Sequence, residues 1–420
     1  MIASNQPRQK STPWLNQRRI RAHAILLAVC LWGVCAVDYA TPGIFDRAGN
    51  IKFQDFIQFP ISARLIAQGR AASLYDPRVL NDEIAAITGH TRIYLEYYYG
   101  PQVALPFLAL SCLSFLTQAE IWVALSLLIY FACIYLLWKT CSALKPYPGL
   151  IALCAVAYPP LFHFFVRGQL SVLILLCFTG AYLAFRAQRY WLAGIALGCL
   201  VFKPQYLVAI PLVLIFAQAW KPLAALILSA VAQLALTLLY FGPVVMRPYF
   251  GMLFRSAVHP TSTELIFSPI QMHSLRTFWT LLIPSPAAVW MLYFLSSVAV
   301  IAATVAVWKS AAPLALRFSA LVLVAVLVNP HLYVYDLLGM APVFLLVSAW
   351  ALNHPPHPFT PALRLLLYLA FLLPLFGPLS RWTHLQLSVP DFAILLCVIW
   401  RCSCLSIDAS PLASRESAVV

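Results

Sequence analysis

Residues 49–77, GNIKFQDFIQFPISARLIAQGRAASLYDP, decide how the rest of the chain is read. They lie just past an apolar run at about 24–40 and set one carboxylate, Asp55, among Phe53, Phe56 and Phe59. The stretch that follows, PISARLIAQGRAASLYDP, is amphipathic and too polar to span a bilayer. An apolar run, an acid held among aromatics and a helix suited to an interface describe a membrane span followed by an outer loop.

Composition agrees. Only 10% of the 420 residues are charged, 62% are hydrophobic, and mean hydropathy is +0.85. A soluble domain carries about 25% charged residues, so the chain is read as an integral membrane protein. The alternating segments of a transmembrane barrel, about ten residues each, are absent from the sequence. The net charge of +14 is assigned to cytoplasmic loops rich in Lys and Arg, not to nucleic-acid binding. Of the 11 cysteines, Cys30, Cys133, Cys154, Cys177 and Cys199 fall inside apolar runs, and Cys402 and Cys404 form an isolated C-x-C. That pattern predicts neither a disulfide framework nor a zinc site. Arg18, Arg19 and Arg21 ahead of the first run fit a cleaved signal peptide or a first membrane helix; the many later spans favour the uncleaved helix.

Apolar runs recur near 24–40, 101–117, 120–138, 149–166, 170–186, 190–202, 205–219, 222–241, 287–308, 313–328, 333–352, 362–380 and 385–401. Prolines such as Pro204, Pro222 and Pro330 mark their edges, and polar stretches at about 41–100 and 242–286 interrupt them. Since a span takes about 20 residues, there is room for about twelve. The basic N-terminus, Lys139–Lys145, Arg186–Arg189, Lys221, Lys309 and the Arg401 end suit the cytoplasm. Parity then requires one early run not to cross, and the run 101–117, broken by Pro101 and Pro106, is the expected re-entrant or interfacial piece. The expected organisation is a basic cytoplasmic segment 1–23, a membrane domain 24–404 with outer loops at about 41–100 and 242–286, and a short tail 405–420.

This orientation leaves Arg167, Lys203, Arg247, Arg255, Arg276 and Arg381 on the side where positive charge is disfavoured, together with Asp55, Glu264 and Asp336. The simplest cause is an anion held at that face. In VRGQLSV, 166–172, Gln169 both donates and accepts hydrogen bonds beside a guanidinium able to grip phosphate; the plain reading is a polar helix cap. Lys203 in VFKPQY, 201–206, reads alone as a snorkelling lysine and beside the Gly-Gln turn as a phosphate contact. NPHLYVYD, 329–336, packs Asn329, His331, Tyr333, Tyr335 and Asp336 into one turn, either as an aromatic belt or as a site with a carboxylate-oriented imidazole. Loop 242–286 reads as surface-lying helices capping a cavity. Asp55 itself is a loop acid, a cap for a helix beginning near Phe56, or a partly dehydrated base. Asp38, Asp46 and Asp76 sit in turn-like settings, and the absence of a D-x-D pair leaves a divalent metal no obvious home.

The order of QDF, ISARLIAQGRAASLYDP, YYYGPQVALPFLAL, GQLSVLILL, LAGIALGCLVFKPQ and NPHLYVYDLLGMAP after a first span resembles bacterial glycosyltransferase family 87, over about 30–400. The resemblance implies an all-α polytopic GT-C bundle of about 12 transmembrane helices, akin to the polyprenyl-phosphate-mannose-dependent α-mannosyltransferases. It further implies a multi-pass protein of the bacterial inner membrane with its site on the extracytoplasmic face. There an inverting enzyme moves a hexose, mannose by the resemblance, from a polyprenyl-phosphate sugar to a lipid or oligosaccharide acceptor, with no cofactor. Asp55 matches the family's general base; Arg167, Lys203, Arg247 and His331 are the expected clamps on the phosphate. Gln169 and Asn329 would hold sugar or phosphate oxygens, beside Tyr335 and Asp336, with the prenyl tail lying among membrane lipids. The rival class is a transporter or flippase of lipid-linked sugars. It is disfavoured because no internal repeat is visible and the polar groups collect at one face instead of the midplane.

Overall fold

Proline and glycine placement decides where the helices of this chain begin, bend and stop. The computed structural model describes residues 15–89, 96–258, 270–354 and 357–408, without the side chains of 256–258 and 405–408. Residues 1–14, Glu264 with the rest of 259–269 in the second outer loop, and the tail from 409 lie outside the described residues. Every element is helical, and no strand occurs among the described residues.

Helix α1, Gln17–Tyr39, is capped by Asn16, whose side chain accepts from the Arg19 N–H at 3.0 Å. At 23 residues it is about 34 Å long, enough to cross a bilayer. The loop beyond it carries α2, Gln58–Ala67, and α3, Pro77–Thr88. Asp76 caps α3, and Gly89 ends it in the left-handed conformation with φ 68°. Residues Gln58–Ala63 and Leu65 of α2 are buried, so this helix is packed into the protein and does not lie on its surface. The run at 101–117 resolves into a 3₁₀ turn, Pro101–Ala104, and a one-turn helix, Leu105–Leu108, too short to cross.

The long helix α4, Phe115–Thr140, follows. Then α5, Pro148–Ala157, and α6, Pro159–Arg167, meet at a 49° bend where Pro159 and Pro160 remove two amide donors. Three shorter helices come next: α7, Ser171–Arg186; α8, Tyr190–Gly198; and α9, Ile210–Phe216. Between α8 and α9 the helix breaks at Lys203–Pro204, because the residue before proline is pushed out of the α region. In α10, Trp220–Val258, Gly242 at φ 73° marks a kink. The remainder comprises α11, Leu275–Leu282; α12, Pro286–Lys309; α13, Leu314–Leu327; α14, Ala341–Asn353; α15, Thr360–Leu372; and α16, Ser388–Asp408.

Among the described residues six helical stretches are long and apolar enough to cross a membrane, seven if the bent α5–α6 pair is one span. Ser171–Arg186, Tyr190–Phe202, Pro204–Phe216 and Leu314–Leu327 are apolar but shorter. The sequence runs therefore outnumber the long helices because prolines and glycines cut several runs into pieces. Leu239, Leu128 and Phe294, at 82%, 70% and 65% exposed, show the long helices presenting large apolar side chains outward. In water that surface would drive aggregation; in a bilayer it is the lipid-facing side. Helix α13 runs through the centre, every residue from Phe318 to Leu327 buried, and packs against α7, α12, α14 and α16. Its C-terminal end delivers Asn329 to the polar cluster described next.

Candidate active site

Asp55 lies in a tight turn between Phe53, which has φ 54°, and the start of α2. Phe53, Phe56 and Phe59 are buried and pack with Phe107, Tyr99 and Phe165; the Phe56–Phe107 and Phe59–Tyr99 ring centroids are 5.5 and 5.2 Å apart. This aromatic anchorage fixes the loop, and the acid between the rings keeps a side chain 16% exposed. Its carboxylate does not cap α2. One oxygen accepts from Gln169 Nε2 at 2.9 Å, and the other stands 3.4 Å from Arg167 Nη1. By contrast, Asp46 accepts from the Ala48 and Asn50 N–H groups, Asp76 caps a helix and Asp38 pairs with Arg47, as turn acids do.

The partner turn, residues 166–172, is built around Gly168. Helix α6 ends there with φ 68°, and the Gly168 N–H returns to the Phe164 carbonyl. The Phe56 N–H donates to the Arg167 carbonyl at 3.1 Å, and Trp122 Nε1 donates to the Gln169 carbonyl at 3.0 Å. A Cβ on Gly168 would stand 2.7 Å from Phe56 Cβ. Gly168→Ala is therefore expected to lose about 1–2 kcal/mol from the left-handed backbone alone, with more from the Phe56 contact. Thermal unfolding of the detergent-solubilised protein reads the change; an unaltered midpoint would contradict this account of the turn.

On the other side of Gln169, its Oε1 accepts from the Tyr99 hydroxyl at 2.7 Å. The Tyr99 phenol is pushed far above its ordinary value by burial and then by the charges of Asp336 and Asp55, so it stays a donor. Lys203 Nζ lies 5.7 Å from the Tyr99 ring centroid and 5.4 Å from that of Tyr335. Lys203, 5% exposed, does not snorkel: the break at Pro204 turns it inward, and its Nζ donates to Asp336 Oδ1 at 2.5 Å. Ser171 Oγ donates to the same oxygen, and the Tyr206 hydroxyl donates to the Asp336 carbonyl at 3.4 Å. Asp336 Oδ2 is buried and has no hydrogen-bond partner among the described residues.

The turn at 329–336 is held by backbone pairing, His273 N–H to the Leu332 carbonyl at 2.9 Å and Val334 N–H to the Gln271 carbonyl at 2.8 Å. Asn329 Oδ1 accepts from the His331 N–H, while its Nδ2 is buried without a partner among the described residues. Tyr333 and Tyr335 stack at 5.3 Å, and His331 sits against Tyr333 and Tyr98 at 5.2 and 5.6 Å. Burial, then Arg276, then Lys203 push the His331 imidazole down to about 4 against the opposing pull of Asp336. The same surroundings favour the neutral ring while no anion is bound beside it.

The fold thus gathers Asp55, Arg167, Gln169, Lys203, Tyr335 and Asp336 into one chain of contacts, with Asn329 and His331 adjoining. Arg247 is exposed on α10, and no contact joins it to this cluster among the described residues. Tyr99, Trp122 and Ser171, none of them expected as site residues, tie the two halves together. The YYYG and GQLS motifs were visible, but nothing in their spacing showed that a tyrosine would bridge an acid loop and a lysine. The cluster holds two acid–cation pairs, Asp55–Arg167 and Lys203–Asp336.

No curated protein and no solved structure matches the chain. Residues 97–330, more than half of the 420, match glycosyltransferase family 87. The matched region contains the Tyr99, Arg167–Ser171, Lys203 and Asn329 portions of the cluster, within a bundle of apolar helices. The chain belongs to glycosyltransferase family 87 and is a membrane glycosyltransferase.

Proposed function

We propose that this enzyme moves a hexose, mannose by family likeness, from a polyprenyl-phosphate sugar to a hydroxyl of a lipid or oligosaccharide acceptor on the extracytoplasmic side of a bacterial inner membrane. The observation that carries the reading is the contact chain Asp55–Gln169–Tyr99–Lys203, which links a part-exposed carboxylate to a buried cation through two intervening side chains. The acceptor O–H gives its proton to Asp55 as its oxygen attacks the sugar C1. The bond from C1 to the phosphate oxygen breaks, and polyprenyl phosphate leaves with that electron pair. One base suffices for inversion, whereas hydrolysis through a glycosyl-enzyme needs two carboxylates. Arg167, 29% exposed, is the better placed cation for the leaving phosphate, since Lys203 already serves Asp336 and keeps only its remaining N–H groups. The unpartnered Asn329 Nδ2 suits a sugar or phosphate oxygen, and Asp336 Oδ2 suits a sugar hydroxyl. The membrane domain 24–404 would be one GT-C-type unit of about 12 membrane segments, its shorter apolar helices completing the bundle.

The test supplies the purified protein with polyprenyl-phosphate hexoses and candidate acceptors. Transfer with release of polyprenyl phosphate supports the proposal; movement of the sugar lipid across vesicles without release supports a transporter. Within this reading Arg167→Ala is expected to raise the donor KM at least about tenfold, the worth of one charge-assisted hydrogen bond, with little change in the acceptor KM. Equal effects on both would remove Arg167 from the phosphate subsite.

A further inference from the structure

A cavity of about 380 Å³ lies at the other end of the bundle from Asp55. Its walls are α1 and α15, its floor α5 and α14, and the Tyr368 hydroxyl and His23 Nδ1 bridge it at 2.6 Å. The rim holds Gln17, His23 and Arg364, beside the N-terminal end of α1, where Arg18, Arg19 and Arg21 are exposed. Tyr158 and Phe344 close the deep end, at the bend between α5 and α6. No Asp or Glu lines it, and the Arg364 guanidinium has no hydrogen-bond or ion-pair partner among the described residues.

Its dimensions select the occupant. Along α14 the cavity runs from Ala341 to Leu352, about 16 Å at 1.5 Å per residue. That is half of the roughly 30 Å hydrocarbon core, the depth of one leaflet. A helix about 10 Å across does not fit in the volume, and the polar, basic sequence of residues 1–14 is unsuited to apolar walls. A donor bound at Lys203 and Arg167 would have its phosphate at the opposite end and leave Arg364 without an anion. We propose that this cavity binds one anionic phospholipid of the leaflet at the N-terminal end of α1, an acyl tail filling the groove and the phosphate meeting Arg364. The tail end then rests on Tyr158, whose hydroxyl donates to the Leu337 carbonyl at 2.8 Å, next to Asp336. This inference does not depend on the transfer reaction.

Native mass spectrometry of the full chain, delipidated and titrated with phosphatidylglycerol or phosphatidylcholine of matched tails, tests it. One phosphatidylglycerol is expected to bind about tenfold more tightly than phosphatidylcholine, because both bring a phosphate but only phosphatidylcholine brings a choline cation up against Arg364. Arg364→Ala should remove that preference, and Ser348→Trp, which puts a large ring into the groove, should abolish both. Equal retention of the two lipids, or an Arg364→Ala protein that keeps the preference, would overturn the proposal. So would displacement of phosphatidylglycerol one for one by polyprenyl phosphate, which would give the cavity to the donor.

Discussion

Asp55→Asn is expected to slow sugar transfer by about 10²–10⁴-fold, the usual contribution of a positioned general base, while leaving the protein folded. The amide is nearly isosteric and keeps a hydrogen-bonding group toward Gln169, whose own amide stays anchored by Tyr99. What disappears is the negative charge that takes the acceptor proton. Loss of the part-exposed pair with Arg167 costs at most about 1 kcal/mol, so the unfolding midpoint should hardly move. Single-turnover release of polyprenyl phosphate and a thermal melt, measured on the same preparation, separate the two effects. Transfer within tenfold of the parent would show that Asp55 is not the base.

The second large effect concerns the buried pair. Lys203→Met is expected to destabilise the fold by about 3–5 kcal/mol, because it strands a carboxylate inside the bundle. Asp336 is 1% exposed and one of its oxygens already lacks a partner among the described residues. Adding Asp336→Leu should recover most of that loss, since two apolar side chains satisfy the site better than one unpaired charge. Stability should return without activity if the pair also serves the donor. A double variant as fragile as Lys203→Met would contradict the ion-pair account, and one that transfers sugar normally would make the pair purely structural.

Which parts of this arrangement could be read in advance follows from the range of the interactions. Gly168 in VRGQLS and the proline after Lys203 are local signals, and both breaks form where the residues place them. The failure of 101–117 to make a spanning helix is likewise local, set by Pro101 and Pro106. The choice between a snorkelling and a buried Lys203 is not local. It depends on Asp336, 133 positions away, arriving from beyond the central helix α13. Tyr99 is harder still, since three consecutive tyrosines are alike in sequence and only the hydrogen bond to Gln169 and the approach of Lys203 to its ring single out the third. The downward pull on the His331 imidazole comes from burial and from Arg276, contributed by α11. The number of long helices differs from the number of apolar runs because hydropathy measures composition, whereas prolines at 159, 160 and 204 decide continuity.

The most direct measurement is a cryo-electron microscopy map of the protein with a polyprenyl-phosphate hexose bound. The account predicts the phosphate within hydrogen-bond reach of Arg167 or Lys203, and the sugar C1 facing a space bounded by the Asp55 carboxylate. A phosphate seated instead at the Arg364 end of the bundle, or a sugar remote from Asp55, would contradict it.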